Sequence, residues 1–289
     1  MGKDLYDAFP EAREIYDRAK NLTGTDWAAI SFEGDKETLF LTSNTQPCLF
    51  INSCAILHSL GEAAKFEGTA GHSLGEYSAL YAAGVLKFED ALLAVVERGK
   101  LMAQAKSGGM LAPIGADDEK IFAVVANLQK EGVLVVANIN APGKFVVSGD
   151  IALLDKATSA LQKDAGAKKV FRLPVSGAFH SPLMEDAGKE MSDVLSKINF
   201  NPPKIPFYAN ASGRSESDPG QIRSLLVAQI TSPVRWIDQI RAMNNDGFAE
   251  FVEVGSGKVL QGLVARIVPD AITYGISNAD DVNKEKSNA

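Results

Sequence analysis

The pentapeptide Gly71-His72-Ser73-Leu74-Gly75 constrains this chain more than any other segment, because its G-x-S-x-G spacing suits a serine on a sharp strand-to-helix turn. Such a turn strains the serine backbone and lifts the hydroxyl clear of the sheet. The glycines two residues to either side read as a steric need of the tight crossing. The next segment, Glu76-Tyr77-Ser78-Ala79-Leu80-Tyr81-Ala82-Ala83-Gly84, reads as a small-residue helix closed by glycine. Strand, elbow and helix in this order make Ser73 a candidate nucleophile. A plain turn is the competing reading.

Strand and helix signals alternate along the whole chain, which points to an α/β protein. Residues 4–21 read as a polar helix interrupted at Pro10, and Thr45-Gln46-Pro47 as the first turn of an apolar helix reaching about residue 64. Ala91, Leu92, Val95, Val96 and Leu101 form one stripe of a helix over 88–105. The texture changes near Ser107-Gly108-Gly109. Strand signals at 110–114, 133–139, 144–148 and 167–173 are interleaved with helices at 117–130 and 150–165. That βαββαβ order is the ferredoxin-like unit. The expected division is an α/β core over 1–108 and 176–289, with an inserted ferredoxin-like small domain over 109–175. Beyond it, helices are expected at 182–197, 220–230 and 233–246, and strands at 205–209 and 249–254. The tail from Asn278 reads as polar and frayed.

Composition narrows the function classes. Across 289 residues, 46% hydrophobic and 22% charged side chains are ordinary for a soluble globular protein. A net charge of −7 argues against nucleic acid as a partner. The basic cluster Lys168-Lys169 with Arg172 reads as a solvated rim or as a contact for an acidic partner protein. No stretch approaches the roughly 18 apolar residues of a membrane span, and the first residues lack a signal-peptide pattern, so the cytoplasm is the expected compartment. The 2 cysteines, Cys48 and Cys54, are too few for a disulfide framework or a zinc site and are expected to fill apolar space on one helix.

A serine hydroxyl needs a base, and histidine is the usual one near neutral pH. Of the 3 histidines, His58 lies in an apolar helix and reads as structural. His72 adjoins Ser73, so its side chain points away from the nucleophile and braces the turn. His180 remains, on a loop between strand and helix in Gly177-Ala178-Phe179-His180-Ser181, and serine before histidine is the hydrolase chain order. His180 is the candidate base. No acidic residue stands out as the third member, and a backbone carbonyl could equally hold the imidazole in its tautomer.

With the elbow joined to Gly177–Ser181, the chain resembles the malonyl-CoA:acyl carrier protein transacylases of fatty acid synthesis. Further segments carry the match: Thr45-Gln46-Pro47, Glu97-Arg98-Gly99-Lys100-Leu101-Met102, Asn138-Ile139-Asn140-Ala141-Pro142-Gly143, Ser232-Pro233-Val234-Arg235-Trp236 and Glu253-Val254-Gly255-Ser256-Gly257. The resemblance covers nearly the whole chain. It implies a hydrolase-like parallel-sheet core with a ferredoxin-like (βαββαβ) insertion. The implied reaction is ping-pong transfer of malonyl from malonyl-CoA, through a malonyl-serine, to the phosphopantetheine thiol of acyl carrier protein, with no cofactor and no metal.

Carried over by residue, the resemblance puts the nucleophile at Ser73 and the base at His180. It puts the orienting backbone carbonyl at Gln229 and one oxyanion amide at Leu74. Its carboxylate-binding arginine falls on Arg98, while Gln46 and Asn140 line its pocket. On the residues alone, Arg98 reads as an exposed helix position. Its guanidinium fork nonetheless suits the free carboxylate that distinguishes malonyl from acetyl. Phe179 suits malonyl over methylmalonyl by filling the space of the extra methyl, or else simply packs. The alternatives are a serine thioesterase or hydrolase, and a weakly active or non-catalytic carrier-protein-binding domain. Members of the family start with an apolar strand and a Phe-Pro-Gly-Gln-Gly-x-Gln loop, ahead of the segment resembling Met1–Leu5, and that loop supplies the second oxyanion amide. The expected explanation is a start at an internal methionine or a truncation of the gene, with a fully active natural protein behind it. Without the strand, an exposed sheet edge and an open groove are expected.

Overall fold

Two long helices carry much of the core, and both are built on apolar residues three to four positions apart. A computed structural model describes residues 1–288 of the chain. The helix Thr42–Leu60 buries Cys48, Phe50, Ile51, Cys54, Ala55 and Ile56, and the helix Phe88–Gln104 packs Ala91, Leu92, Val95 and Leu101 into the same core. Both cysteines are buried and unpaired, as apolar filling requires.

The first of these helices begins a turn earlier than Thr45-Gln46-Pro47 suggests, so Pro47 lies inside it. The extra turn is held from outside. Thr45 Oγ1 donates to the Leu41 carbonyl at 3.1 Å, and Asn44 Nδ2 donates to the Thr38 carbonyl at 3.0 Å. Those contacts tie it to the preceding helix, Lys36–Phe40, for which the sequence offered no periodic signal. Pro10 separates two helices, Lys3–Ala8 and Pro10–Thr23, and occupies the first position of the second, where a missing N–H costs nothing.

Nine strands form three sheets among the described residues: β1 (Thr69–Ala70), β2 (Gly109–Ile114), β3 (Leu134–Ala141), β4 (Lys144–Gly149), β5 (Lys169–Arg172), β6 (Phe207–Tyr208), β7 (Ser215–Glu216), β8 (Glu250–Val254) and β9 (Ile272–Ile276). The sheet β3-β4-β2-β5 is antiparallel throughout. With the helices Asp118–Leu128 and Ile151–Lys163 it has the ferredoxin-like order. Its core of Leu111, Ile121, Val125, Val147, Leu154 and Leu161 continues into Val234, Trp236 and Ile240. Backbone bonds also cross at this point, since Val234 N donates to Ala137 O at 2.8 Å and Ile139 N to Val234 O at 2.9 Å.

The remaining strands are mainly parallel but lie in two pieces. β1 pairs with β6, and β8 with β9, both parallel, while β7 adds antiparallel to β6. β1 and β8 do not pair with each other. Both line a cleft of about 790 Å³, walled by Ala70, Phe248, Phe251, Val252 and Leu260.

The carboxy-terminal tail is not frayed. Residues Ala279–Asn288 form a helix whose Val282 is fully buried. Ala279 N donates to Asp4 at 2.7 Å, and Lys286 stands over the Phe9 ring. The segment is polar because most of it faces solvent, but one apolar anchor and two contacts to the first helices suffice to dock it. No helix is long and apolar enough to cross a membrane among the described residues.

Candidate active site

The elbow forms at the carboxy end of β1, where the chain turns straight into the helix Gly75–Ala82. Ser73 has φ 52°, the left-handed region that a residue with a side chain enters only under external constraint. Asn210, which follows β6, supplies that constraint. Its Oδ1 accepts from Ser73 N at 2.7 Å, and its Nδ2 donates to the Gly71 carbonyl at 2.5 Å. A Cβ on Gly71 would run into the Gly75 backbone, so this glycine is sterically required. Gly75 is different. A Cβ there meets open space, so the expectation of a matched steric need on both sides holds only for Gly71.

Ser73 Oγ lies 2.8 Å from His180 Nε2. His180 Nδ1 is 2.8 Å from the Gln229 carbonyl oxygen. A carbonyl only accepts, so Nδ1 carries the proton and Nε2 is free to accept from the serine hydroxyl. His180 itself sits at φ 57°, a second strained residue that no sequence pattern signalled. Burial, reinforced by the nearby Arg98 charge, pushes its imidazole down to about 3. The ring is therefore neutral across the physiological range.

Arg98 is fully buried, which corrects its reading as an exposed helix position. Its Nη1 donates to Gln46 Oε1 at 2.5 Å, and its Nη2 donates to Ser73 Oγ at 3.0 Å and to Gln229 Oε1 at 2.8 Å. Its Nε has no partner. Burial lowers its pKa, while Tyr77 and Glu76 act in the opposite direction. No carboxylate touches the guanidinium, so a buried cation is held by neutral amides and a hydroxyl. Such a site has an unmet preference for an anion.

The structure thus brings Ser73, His180, Arg98, Gln46 and Gln229 into one network. Leu74 N follows the nucleophile, and no acceptor for it is found among the described residues. Asn140 stands apart from the hydroxyl. Its Oδ1 is 2.7 Å from His72 Nε2, and His72 packs edge-on against Trp236, so this histidine braces the elbow from behind. Phe179 is buried in the main core. His58 is half-exposed, 3.6 Å from Glu14. Sequence reading missed Glu76 and Asn210. Glu76 is fully buried and accepts from Asn210 N at 3.0 Å and from Gln229 Nε2. Its signal was present, an acid in the first turn of an otherwise apolar helix.

Comparison with known proteins shows the family to which the chain belongs. The acyl transferase domain family matches residues 1–283. The malonyl CoA-acyl carrier protein transacylase of Bacillus subtilis is 39% identical over 287 residues, covering 98% of this chain and 90% of its own. That of Haemophilus influenzae is 39% identical over 289 residues, covering 98% of this chain and 92% of its own. Among solved structures, the acyl-carrier-protein S-malonyltransferase of Bartonella henselae aligns with a TM-score of 0.93 at 36% identity, covering 98% of this chain and 93% of its own. A malonyl-transacylase in complex with its type II PKS acyl-carrier protein aligns at 0.94 and 34% identity, covering 100% of this chain and 95% of its own.

Proposed function

The chain belongs to the malonyl CoA-acyl carrier protein transacylase family, and on that premise we propose that Ser73 carries the malonyl group between CoA and the carrier's phosphopantetheine thiol. The observation that carries this reading is the single hydroxyl held between His180 Nε2 at 2.8 Å and Arg98 Nη2 at 3.0 Å. A general base and a carboxylate-binding fork on one nucleophile suit an acyl group that ends in a carboxylate.

In the first half-reaction Ser73 Oγ attacks the malonyl thioester carbonyl and its proton passes to His180 Nε2. The Gln229 carbonyl holds Nδ1–H and stabilises the imidazolium that forms. The Leu74 N–H serves as an oxyanion donor. Collapse of the tetrahedral intermediate expels the CoA thiolate, which takes the proton back from His180. The second half-reaction reverses these steps with the carrier's thiol as nucleophile. No residue cluster fit to hold a metal is present among the described residues. The units 1–108 with 176–289, and 109–175, are the core and the small domain of this reading.

Arg98 does more than bind. Its charge lies beside the imidazole and suppresses protonation of His180. A malonyl carboxylate paired with the guanidinium cancels that charge, so the base strengthens when the correct acyl group is bound. Acetyl offers no such compensation. Gln46 releases one arm of the fork to the carboxylate, Asn140 keeps His72 and the elbow in place, and Phe179 closes the space beside His180.

Mass spectrometry after incubation with malonyl-CoA tests the assignment. A malonyl adduct is expected on the unmodified chain and not on Ser73→Ala, and a folded chain that never acylates overturns it. Adding carrier protein should discharge the adduct. CoA release that continues at the same rate without an acceptor would instead indicate a hydrolase.

A further inference from the structure

We propose that Glu76 is a positioning residue for the transfer, its ionised carboxylate holding the Gln229 amide in the one orientation that lets Arg98 and His180 both serve Ser73. The inference rests on the assignment of Ser73 as the acyl carrier and extends it. Both oxygens of this fully buried carboxyl face N–H donors, Asn210 N at 3.0 Å and Gln229 Nε2. Gln229 Nε2 also donates to the Ser73 carbonyl at 2.8 Å. With its NH2 group committed on that side, the opposite face must present Oε1, which accepts from Arg98 Nη2 at 2.8 Å. The backbone carbonyl of the same Gln229 orients His180. One residue therefore ties base, fork and elbow together, and Glu76 sets which way its side chain points.

Protonation of Glu76 turns one of its two acceptor oxygens into an O–H, which accepts only weakly from the N–H that points at it. Relief requires the Gln229 amide to turn over, with Oε1 accepting from the new O–H. Its NH2 group would then face Arg98, donor against donor, and the fork would lose an acceptor. Asn210 links the same carboxylate to the strained turn, because it bonds Glu76 through its N–H and the Ser73 N–H through Oδ1.

The charged and titratable groups acting on Glu76 are Arg98, from the helix Phe88–Gln104, and Tyr77, its chain neighbour. Asn210 and Gln229 are uncharged. Burial pushes the Glu76 carboxyl up to about 7, against its hydrogen bonds and the Arg98 charge. The change in amide orientation consequently falls within the working pH range, far above the titration of His180 near 3.

The test is the rate of malonyl-Ser73 formation at subsaturating malonyl-CoA, followed by quenched mass spectrometry from about pH 5.5 to 8.5, which reports groups of the free enzyme. The unmodified chain should lose rate toward acid with a midpoint near 7. Glu76→Gln should abolish that acid limb and lower the plateau, by up to about a hundredfold if the reacting groups shift by an ångström. Gln229→Met, which keeps the backbone carbonyl on His180, should also abolish the limb, so the result does not depend on one variant folding. A rate independent of pH in the unmodified chain overturns the inference while leaving Ser73 acylation standing, as does a full acid limb retained in either variant. No adduct at any pH overturns both.

Discussion

At the scale of single residues, the site rests on two strained backbones and two buried charges. Ser73 and His180 both adopt positive φ, and Asn210 and the Gln229 carbonyl lock them there. Ser73 was legible because its strain demands glycine at position 71, which leaves a pattern. The strain at His180 is met by tertiary hydrogen bonds and leaves none. Arg98 was legible only through resemblance, since an arginine on a helix is usually solvated. On the proposed role of Arg98, its replacement by alanine removes charge-assisted bonds to malonyl worth about 3 kcal/mol, so kcat/KM for malonyl-CoA should fall about a hundredfold. Acetyl-CoA loading should fall far less, and steady-state rates with both substrates check the ratio. The two titrating groups act on stability with opposite signs. His180 is depressed from 6.5 to about 3, so between those values the unfolded chain takes up a proton that the folded chain refuses, and stability falls as pH falls. Glu76 is raised from 4.5 to about 7, so there the folded chain holds the extra proton, and stability rises as pH falls. Measured against the unmodified chain by urea unfolding at about pH 7 and pH 5, His180→Gln should gain stability toward acid and Glu76→Gln should lose it. Each trend is bounded by about 1.4 kcal/mol per pH unit.

At the scale of elements, length decided what could be read. The inserted unit has strands of 4 to 8 residues separated by strong turn signals, and its βαββαβ order was evident. β1, β6 and β7 are 2 residues each; β1 was legible only through the elbow that follows it, the strand expected at 205–209 is reduced to β6, and β7 lies in a segment that reads as loop. The helix Ala279–Asn288 was misread as a frayed tail because a docked helix with a single buried anchor is compositionally a polar tail. Deleting residues 279–289 should lower Tm by several degrees, at about 2–4 °C per kcal/mol for a chain of this size. An unchanged melting curve would show that the docking contributes nothing. The elbow offers a paired test. Gly71→Ala forces a Cβ into the Gly75 backbone and should cost about 2–4 kcal/mol, while Gly75→Ala meets open space at a helix start and should be neutral or slightly stabilising. Equal effects from the two substitutions would contradict the asymmetry.

At the scale of the whole molecule, the notable feature is the cleft between β1 and β8, two strands with parallel partners on one side only. The cleft borders the elbow through His72, Leu74 and Gly75 rather than through the dyad. Near the start of the chain, Gly2 packs against Asn52, whose Nδ2 bonds Ser256 on the cleft wall at 3.0 Å. The sequence alone pointed to the α/β class, to the βαββαβ order of the middle segment, and to Ser73 and His180 as candidate nucleophile and base. Each of these depends on local pattern or on elimination among few candidates. Only the tertiary structure decided that Arg98 is buried without a carboxylate partner among the described residues, that Glu76 meets the Gln229 amide, and that the parallel strands stand in two pieces. Those outcomes depend on which groups meet across 25 to 156 positions of chain, where burial and hydrogen-bond polarity, not local pattern, select the partner.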